Sequence, residues 1–266
     1  MTSNSLDVAD DAADVSLNAT QKVCAVLRAF GNASSASLRD LAAAAELNKV
    51  TTFRILGTLV SEGFVRRPSG SRLYELGPEI SLLATALGRQ MDLRGAARSA
   101  LLKLASQSGD TAVLSMRAGA HAVCLDRQTG DFPIQSNYLY PGTRRPLGVG
   151  AGAMAILAAL PKTEGDTLLT FVAKQLAEFP RLSMEAVREQ FEVARQQNYA
   201  VVVNSIVDHM GGIAVAIRSP SYGVVGSFSV LALSQRIQSR TDSLVTLLHE
   251  AARDTEMRLS AAINGS

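Results

Sequence analysis

The side chains best suited to chemistry in this sequence cluster at one short segment, Asn48 to Arg54. An arginine can bond a guanine bidentately, while threonine, valine and phenylalanine can lie against a thymine methyl. Lys49, Val50, Thr51, Phe53 and Arg54 supply those groups. Asn48 is a good helix N-cap, and Thr52, Ile55, Leu56, Leu59 and Val60 recur behind it at helical spacing. The five reactive positions therefore fall on the first turns of a helix, away from its buried Leu56/Leu59 stripe, where a recognition helix meets base edges in the major groove. Asn48 itself and Arg39, on the preceding segment, complete the expected contact set on that side.

Other constellations carry less. His121, Cys124 and Asp126 stand close in sequence, but on a strand His121 and Cys124 point to opposite faces, which argues against a metal or thiol site. Asp208 and His209, before Met210, Gly211 and Gly212, read as a polar turn in preference to an acid/base pair. No Gly-x-Ser-x-Gly elbow makes a serine nucleophilic. Gly148, Gly150 and Gly152 suggest a dinucleotide loop, yet residues 141–146 read as turn and loop where such a loop needs a strand. Two readings of this segment stand level. A glycine-rich helix start leaves backbone N–H groups free to bind a small anion, or the glycines serve close packing. No cofactor and no metal is expected.

The elements that must hold Arg54 in place are also legible. Ser37 followed by Asp40 fits a capping box for a short helix burying Leu38, Leu41 and Ala42. Glu46 and Leu47 interrupt the pattern, and Gly63 stops the second helix in the left-handed region. Phe64 to Arg67 and Arg72 to Leu76 read as strands around Pro68, Ser69, Gly70 and Ser71. A hairpin bearing Arg66, Arg67 and Arg72 suits phosphate or minor-groove contact. This order is a winged helix-turn-helix, backed by an amphipathic helix from Asn18 to Arg28 with Val23, Val26, Leu27 and Phe30. Gly77 and Pro78 then punctuate the chain before a connecting helix to Arg89, whose Ile80, Leu83, Ala84 and Leu87 form an apolar face left for a partner.

From Asp92 a second domain is expected. Asp92 caps a helix burying Leu93, Ala96, Ala97, Ala100, Leu101 and Leu104 and ending at Ser108 and Gly109. Strands follow at 111–117, 122–127 and 134–138, then helices at 152–160, 163–173 and 183–197. Strands at 199–203, 212–218 and 224–231 and a helix at 242–263 complete it. Hairpins in place of crossover units argue for an α+β fold on an antiparallel sheet. The expected organisation is an acidic, disordered leader over 1–17, the winged helix over 18–77, a linker helix over 78–91 and the second domain over 92–266.

The charge follows this division. The 266 residues carry a net +2, but Asn18 to Gln90 holds nine basic against five acidic residues, and the first 17 residues hold four aspartates and no base. Positive charge is concentrated where DNA would lie. No stretch reaches ~18 uninterrupted apolar residues and the N-terminus lacks a signal-peptide pattern, so no membrane association and a cytoplasmic location are expected. Cys24 and Cys124 read as small buried hydrophobes rather than halves of a disulfide.

From Asn18 onward the chain resembles the IclR family of bacterial transcriptional regulators. The resemblance rests on Leu38 to Ala42, Leu47 to Leu56, Thr58 to Val60 and Gly63 to Val65 in the first part. In the second it rests on Asp92 to Arg94, Pro141 to Leu147, Gly152 to Ala155, Tyr199 and Ala200, Gly212 to Ile217 and Val224 to Gly226. It implies an effector-responsive regulator of a catabolic operon that is no enzyme, partnered by double-stranded DNA, with a dimerising linker helix and a GAF-like domain binding a small organic acid. Ala151, Gly152, Val202, Met210, Gly212, Ser229 and Leu231 would carry the pocket, in a homodimer or homotetramer. Val202, Gly212 and Leu231 stand where the family's keto-acid binders carry polar side chains, which favours a carboxylate with an apolar or aromatic body. Val50 and Phe53 likewise replace residues often polar in the family. The rival from another class is a sensor or enzyme whose helix-turn-helix serves protein contact.

Overall fold

The computed structural model describes residues 17–31 and 35–264 and divides the chain into two compact units, with the division between Leu82 and Leu83. The expected acidic leader lies, apart from Leu17, outside the described residues.

The first unit builds three helices and a small sheet. Helix α1 (Ala19–Ala29) opens on a reciprocal capping box between Asn18 and Gln21. After strand β1 (Ala36–Ser37) comes α2 (Leu38–Ala44), with the Ser37 hydroxyl accepting from the Asp40 amide and donating to the Asp40 carboxylate. Helix α3 (Lys49–Ser61) is capped by the Asn48 side chain, which accepts from the Thr51 amide at 2.8 Å. Strands β2 (Val65–Arg66) and β3 (Leu73–Leu76) form the wing, and β3 pairs with both β1 and β2. Val26, Phe30, Leu41, Leu56, Leu59, Val65 and Tyr74 form one core, each large apolar side chain contributing about 1.5–3 kcal/mol by burial. At the wing's root a Cβ on Gly77 would lie 2.1 Å from the Gly63 carbonyl oxygen, so only glycine lets the two passes of backbone meet. Two expectations fail in this unit. Val60 is exposed, since its turn of α3 lies beyond the edge of the buried stripe, and Cys24 is exposed on α1 while Val26 takes the buried side.

Helix α4 (Pro78–Gln90) follows the wing. Leu82 and Leu83 on it are 62% and 57% exposed; the side chain of Leu87 lies outside the described residues.

The second unit is a six-stranded antiparallel sheet between two helical layers. Its strands are β4 (Thr111–Ala118), β5 (His121–Gln128), β6 (Arg144–Pro146), β7 (Ala200–Val203), β8 (Met210–Ser219) and β9 (Gly223–Leu233), in the order β6-β5-β4-β9-β8-β7. Helices α5 (Leu93–Ser108) and α10 (Thr241–Asn264) cover one face, and α9 (Ser234–Ser239) leads from β9 into α10. Helices α6 (Ala151–Ala159), α7 (Lys162–Ala173) and α8 (Met184–Gln197) cover the other. The alternation along β8 divides the layers. Ile213, Val215 and Ile217 face α5 and α10, while Ala214 and Ala216 face α6. Large residues on one side and small on the other let α6 lie close to the sheet.

Three details differ from expectation. Residues 134–138 form no strand; their place on the sheet is taken by β6, at 144–146, a segment that reads as loop in the sequence. Pro146 is tolerated there because β6 is an edge strand. Helix α9 and a 3-10 turn at Leu176–Glu178 are additional. Among the described residues no helix is long and apolar enough to cross a membrane.

Candidate functional site

In the first unit, the start of α3 presents an exposed surface. Asn48, Lys49, Val50, Phe53 and Arg54 lie towards solvent and Thr51 is half-buried, while Thr52, Leu56 and Leu59 are buried on the opposite side. Val50 and Phe53 are 72% and 55% exposed, so two apolar groups and a lysine and arginine share a face that the unit's own core leaves uncovered. Arg39 on α2 is exposed as well. On the wing, Arg66 is exposed and pairs with Glu75 at 2.7 Å across the β2–β3 ladder. The Arg67 Nε donates to the Ser71 carbonyl at 2.9 Å and its guanidinium lies over the Tyr74 ring, which stiffens the turn, and Arg72 is exposed at the tip.

In the second unit, Ala151, Gly152, Val202, Met210, Gly212, Ser229 and Leu231 all line one cavity. Its interior has about 40 Å³ of free volume, room for roughly three waters. The walls come from the ends of β4, β5, β8 and β9, the start of α6 and the segment before Met210. Local sequence explains the shape. Gly148 and Gly150 adopt φ of +104° and +88° and turn the chain from β6 into α6. A Cβ on Gly212 would meet the Leu231 Cδ2 at 2.9 Å and the Ala151 Cβ at 3.1 Å; one on Gly152 would meet the Ser227 Oγ at 3.1 Å. These glycines allow the close approach of α6 and also bring its first amides to the cavity. Gly150, the N-cap, offers no side chain to them.

The cavity also gathers residues that sequence reasoning did not assign to it. Cys124, Tyr138 and Leu139 form an apolar wall with Leu231. Burial pushes the Cys124 thiol up to about 11, with the Arg127 charge opposing, so it stands as a neutral wall group and no nucleophile. Ser115 adds a hydroxyl, and Arg145 reaches the cavity from β6. The sequence signal for Arg145 is its place midway between Gly142 and Gly148, on a strand of only three residues that is too short to register as one. The remaining candidates disperse. His121 packs edge-on against Phe171, and Asp126 pairs with Arg94 at 3.1 Å. Asp208 forms an ion pair with Arg181 and His209 occupies a turn at φ +59°.

Comparison with known proteins places these two surfaces in context. Residues 19–69 match the IclR helix-turn-helix domain, and residues 79–257 match the family described as bacterial transcriptional regulator IclR C-terminal. A protein of Halobacterium salinarum described as "Probable HTH-type transcriptional regulator ArcR" is 28% identical over 85% of this chain and 88% of its own. The solved structure of an IclR family transcriptional regulator from Brucella abortus superposes with a TM-score of 0.65 at 22% identity, covering 94% of this chain and 96% of that one. That of an IclR homologue from Microbacterium hydrocarbonoxydans, complexed with 4-hydroxybenzoate, gives 0.67 at 22% identity over 91% and 99%. At such identities the two structures show a shared fold.

Proposed function

The chain belongs to the IclR family of bacterial transcriptional regulators, and from that premise we propose that α3 and the wing hold operator DNA while the cavity of the second unit takes a small carboxylate with an apolar or aromatic body. The protein is a transcription regulator with a helix-turn-helix domain, not an enzyme. We assign DNA contact to Arg39, Asn48, Lys49, Val50, Thr51, Phe53, Arg54, Arg66, Arg67 and Arg72, and effector contact to Ala151, Gly152, Val202, Met210, Gly212, Ser229 and Leu231. In this division 18–77 reads DNA, 78–91 links, and 92–266 binds the effector. The working form is a cytoplasmic homodimer or homotetramer controlling a catabolic operon.

The observation that carries the DNA reading is the exposed pair Val50 and Phe53 beside Lys49 and Arg54 at the start of α3. Thymine methyls, guanine edges and phosphates together match that mixture of apolar and cationic groups. The experiment is a gel shift with the duplex upstream of the protein's own gene. Phe53→Asp, at an exposed position, puts a negative charge against the groove and should cost at least about 1.4 kcal/mol, a tenfold loss of affinity, with an unchanged melting temperature. Equal binding by the folded variant would refute the assignment.

The effector reading is supported by the cavity's composition. Val202, Met210 and Leu231 supply apolar wall, Ser229 a hydroxyl, and the first amides of α6 a preference for negative charge. The relative complexed with 4-hydroxybenzoate supports a ligand of this kind. An interior of about 40 Å³ has room for roughly three waters, so an aromatic carboxylate requires the walls to open further.

A further inference from the structure

We propose that Arg145 is the charge partner of the effector, so that a carboxylate is held between a guanidinium on β6 and the uncapped first turn of α6. This rests on the effector reading above and names the group that would select the ligand. The other half-buried arginines of the unit have acceptors. Arg117 is paired with Glu164; Arg127 donates to the Ser136 carbonyl at 2.9 Å; Arg195 donates to the Leu160 carbonyl at 2.7 Å. Arg236 and Arg240 both reach the Asp110 carboxylate, at 3.0 and 3.1 Å. Arg145 is the exception. Among the described residues no oxygen accepts from it, and its guanidinium lies over the Phe179 ring at 5.3 Å.

A partly desolvated cation without an acceptor is costly unless something supplies the anion. Here the cation lines the same cavity as the α6 start, where Gly150 provides no cap for the Ala151 and Gly152 amides. Two donor sets of independent origin, one side chain and one helix terminus, therefore line one small space. Burial also lowers the proton affinity of Arg145, against a smaller opposing effect from Tyr138; an incoming anion would relieve that penalty. The guanidinium's two parallel N–H groups match a carboxylate, and Cys124, Tyr138, Leu139 and Leu231 offer the ligand's body an apolar wall.

The test uses the full-length protein, wild type beside Arg145→Met and Arg145→Lys. Methionine keeps a long, polarizable chain over Phe179 without the charge. The probes are benzoate, 4-hydroxybenzoate and phenylacetate, each beside its neutral amide, read by thermal shift. At least one acid should raise the wild-type melting temperature while its amide does not. That shift should vanish in R145M and survive in part in R145K, and ligand-free R145M should melt no lower than wild type. The proposal is overturned if no acid stabilises the wild type, if amides act as well as acids, if R145M responds like wild type, or if ligand-free R145M melts several degrees lower, which would make Arg145 a structural residue. A gel shift of the wild type on its upstream duplex separates the failures. A DNA complex alongside an acid response indifferent to Arg145 defeats this inference alone, whereas an Arg145-dependent response without a DNA complex defeats the DNA-binding reading alone.

Discussion

Gly212 has no side chain because its neighbours already fill the space, with Leu231 and Ala151 on either side of where a Cβ would go. Gly212→Val should therefore push α6 away from β8 and cost about 1–3 kcal/mol as an overpacked core, read as a fall in the urea midpoint; an unchanged midpoint would mean α6 has slack at the cavity. Asp110 makes the opposite case. It is 1% exposed and holds both Arg236 and Arg240, and Arg236 also stacks on Phe132. Asp110→Ala leaves two half-buried guanidinium groups without their anion and should cost about 3–5 kcal/mol, measured in the same denaturation series. Residues on a strong helical period were legible in the sequence, as at α3, where period and N-cap together placed Arg54 outward and Leu56 inward. Cys24 and Val60 were not, because both lie at the margin of an amphipathic stripe, where one turn's rotation decides burial. Arg145 was missed for another reason, since only the pairing of β6 with β5 brings it to the cavity.

At the scale of elements, α4 carries Leu82 and Leu83 in the open with no core of its own to meet. An apolar face of this kind on a helix marks an interface, and we propose a second copy of the chain as its occupant, since a two-fold dimer would bring two recognition helices to one duplex. Leu82→Asp with Leu83→Asp should convert the oligomer to a smaller species in sedimentation at micromolar concentration, with the secondary structure content unchanged. A wild type that sediments as a monomer, free and on DNA, would remove the basis for this. The major elements were readable because their caps are strong. Asn48, Asp92 and Ser183 each accept from an amide three residues on. The short elements β6 and α9 were not, because at three and six residues they have too little length for a period to show, and tertiary pairing makes them. The stretch 134–138 carried strand-like residues but found no free edge on β5, which pairs with β4 on one side and β6 on the other.

For the molecule as a whole, pH and salt are the conditions that separate its two units' behaviour. His249 on α10 is held below its ordinary value near 6.5, first by burial and then by the charges of Arg253 and Arg218. Its folded form resists protonation, so the stability it contributes is full above that ordinary value and falls as pH drops through it toward the lowered one. His249→Gln should flatten the fall in stability as pH drops below the ordinary value near 6.5; a variant as pH-sensitive as wild type there would assign the slope elsewhere. DNA binding, by contrast, should be governed by salt, because the positive charge lies between Asn18 and Gln90. The proposed base reading by α3 and phosphate binding by the wing are distinguishable in one titration. Fluorescence anisotropy of wild type, Arg54→Ala and Arg72→Ala is followed on the upstream duplex and on a scrambled duplex from about 50 to 200 mM salt, a range over which phosphate binding weakens by orders of magnitude. The expected result is a loss of about 1–3 kcal/mol for Arg54→Ala on the upstream duplex alone. Arg72→Ala should weaken binding to both duplexes and make the salt slope shallower by about 0.9 for each phosphate the variant no longer neutralises. Wild type binding both duplexes equally, or both folded variants matching wild type in affinity and slope, would contradict the assignment of α3 and the wing to DNA.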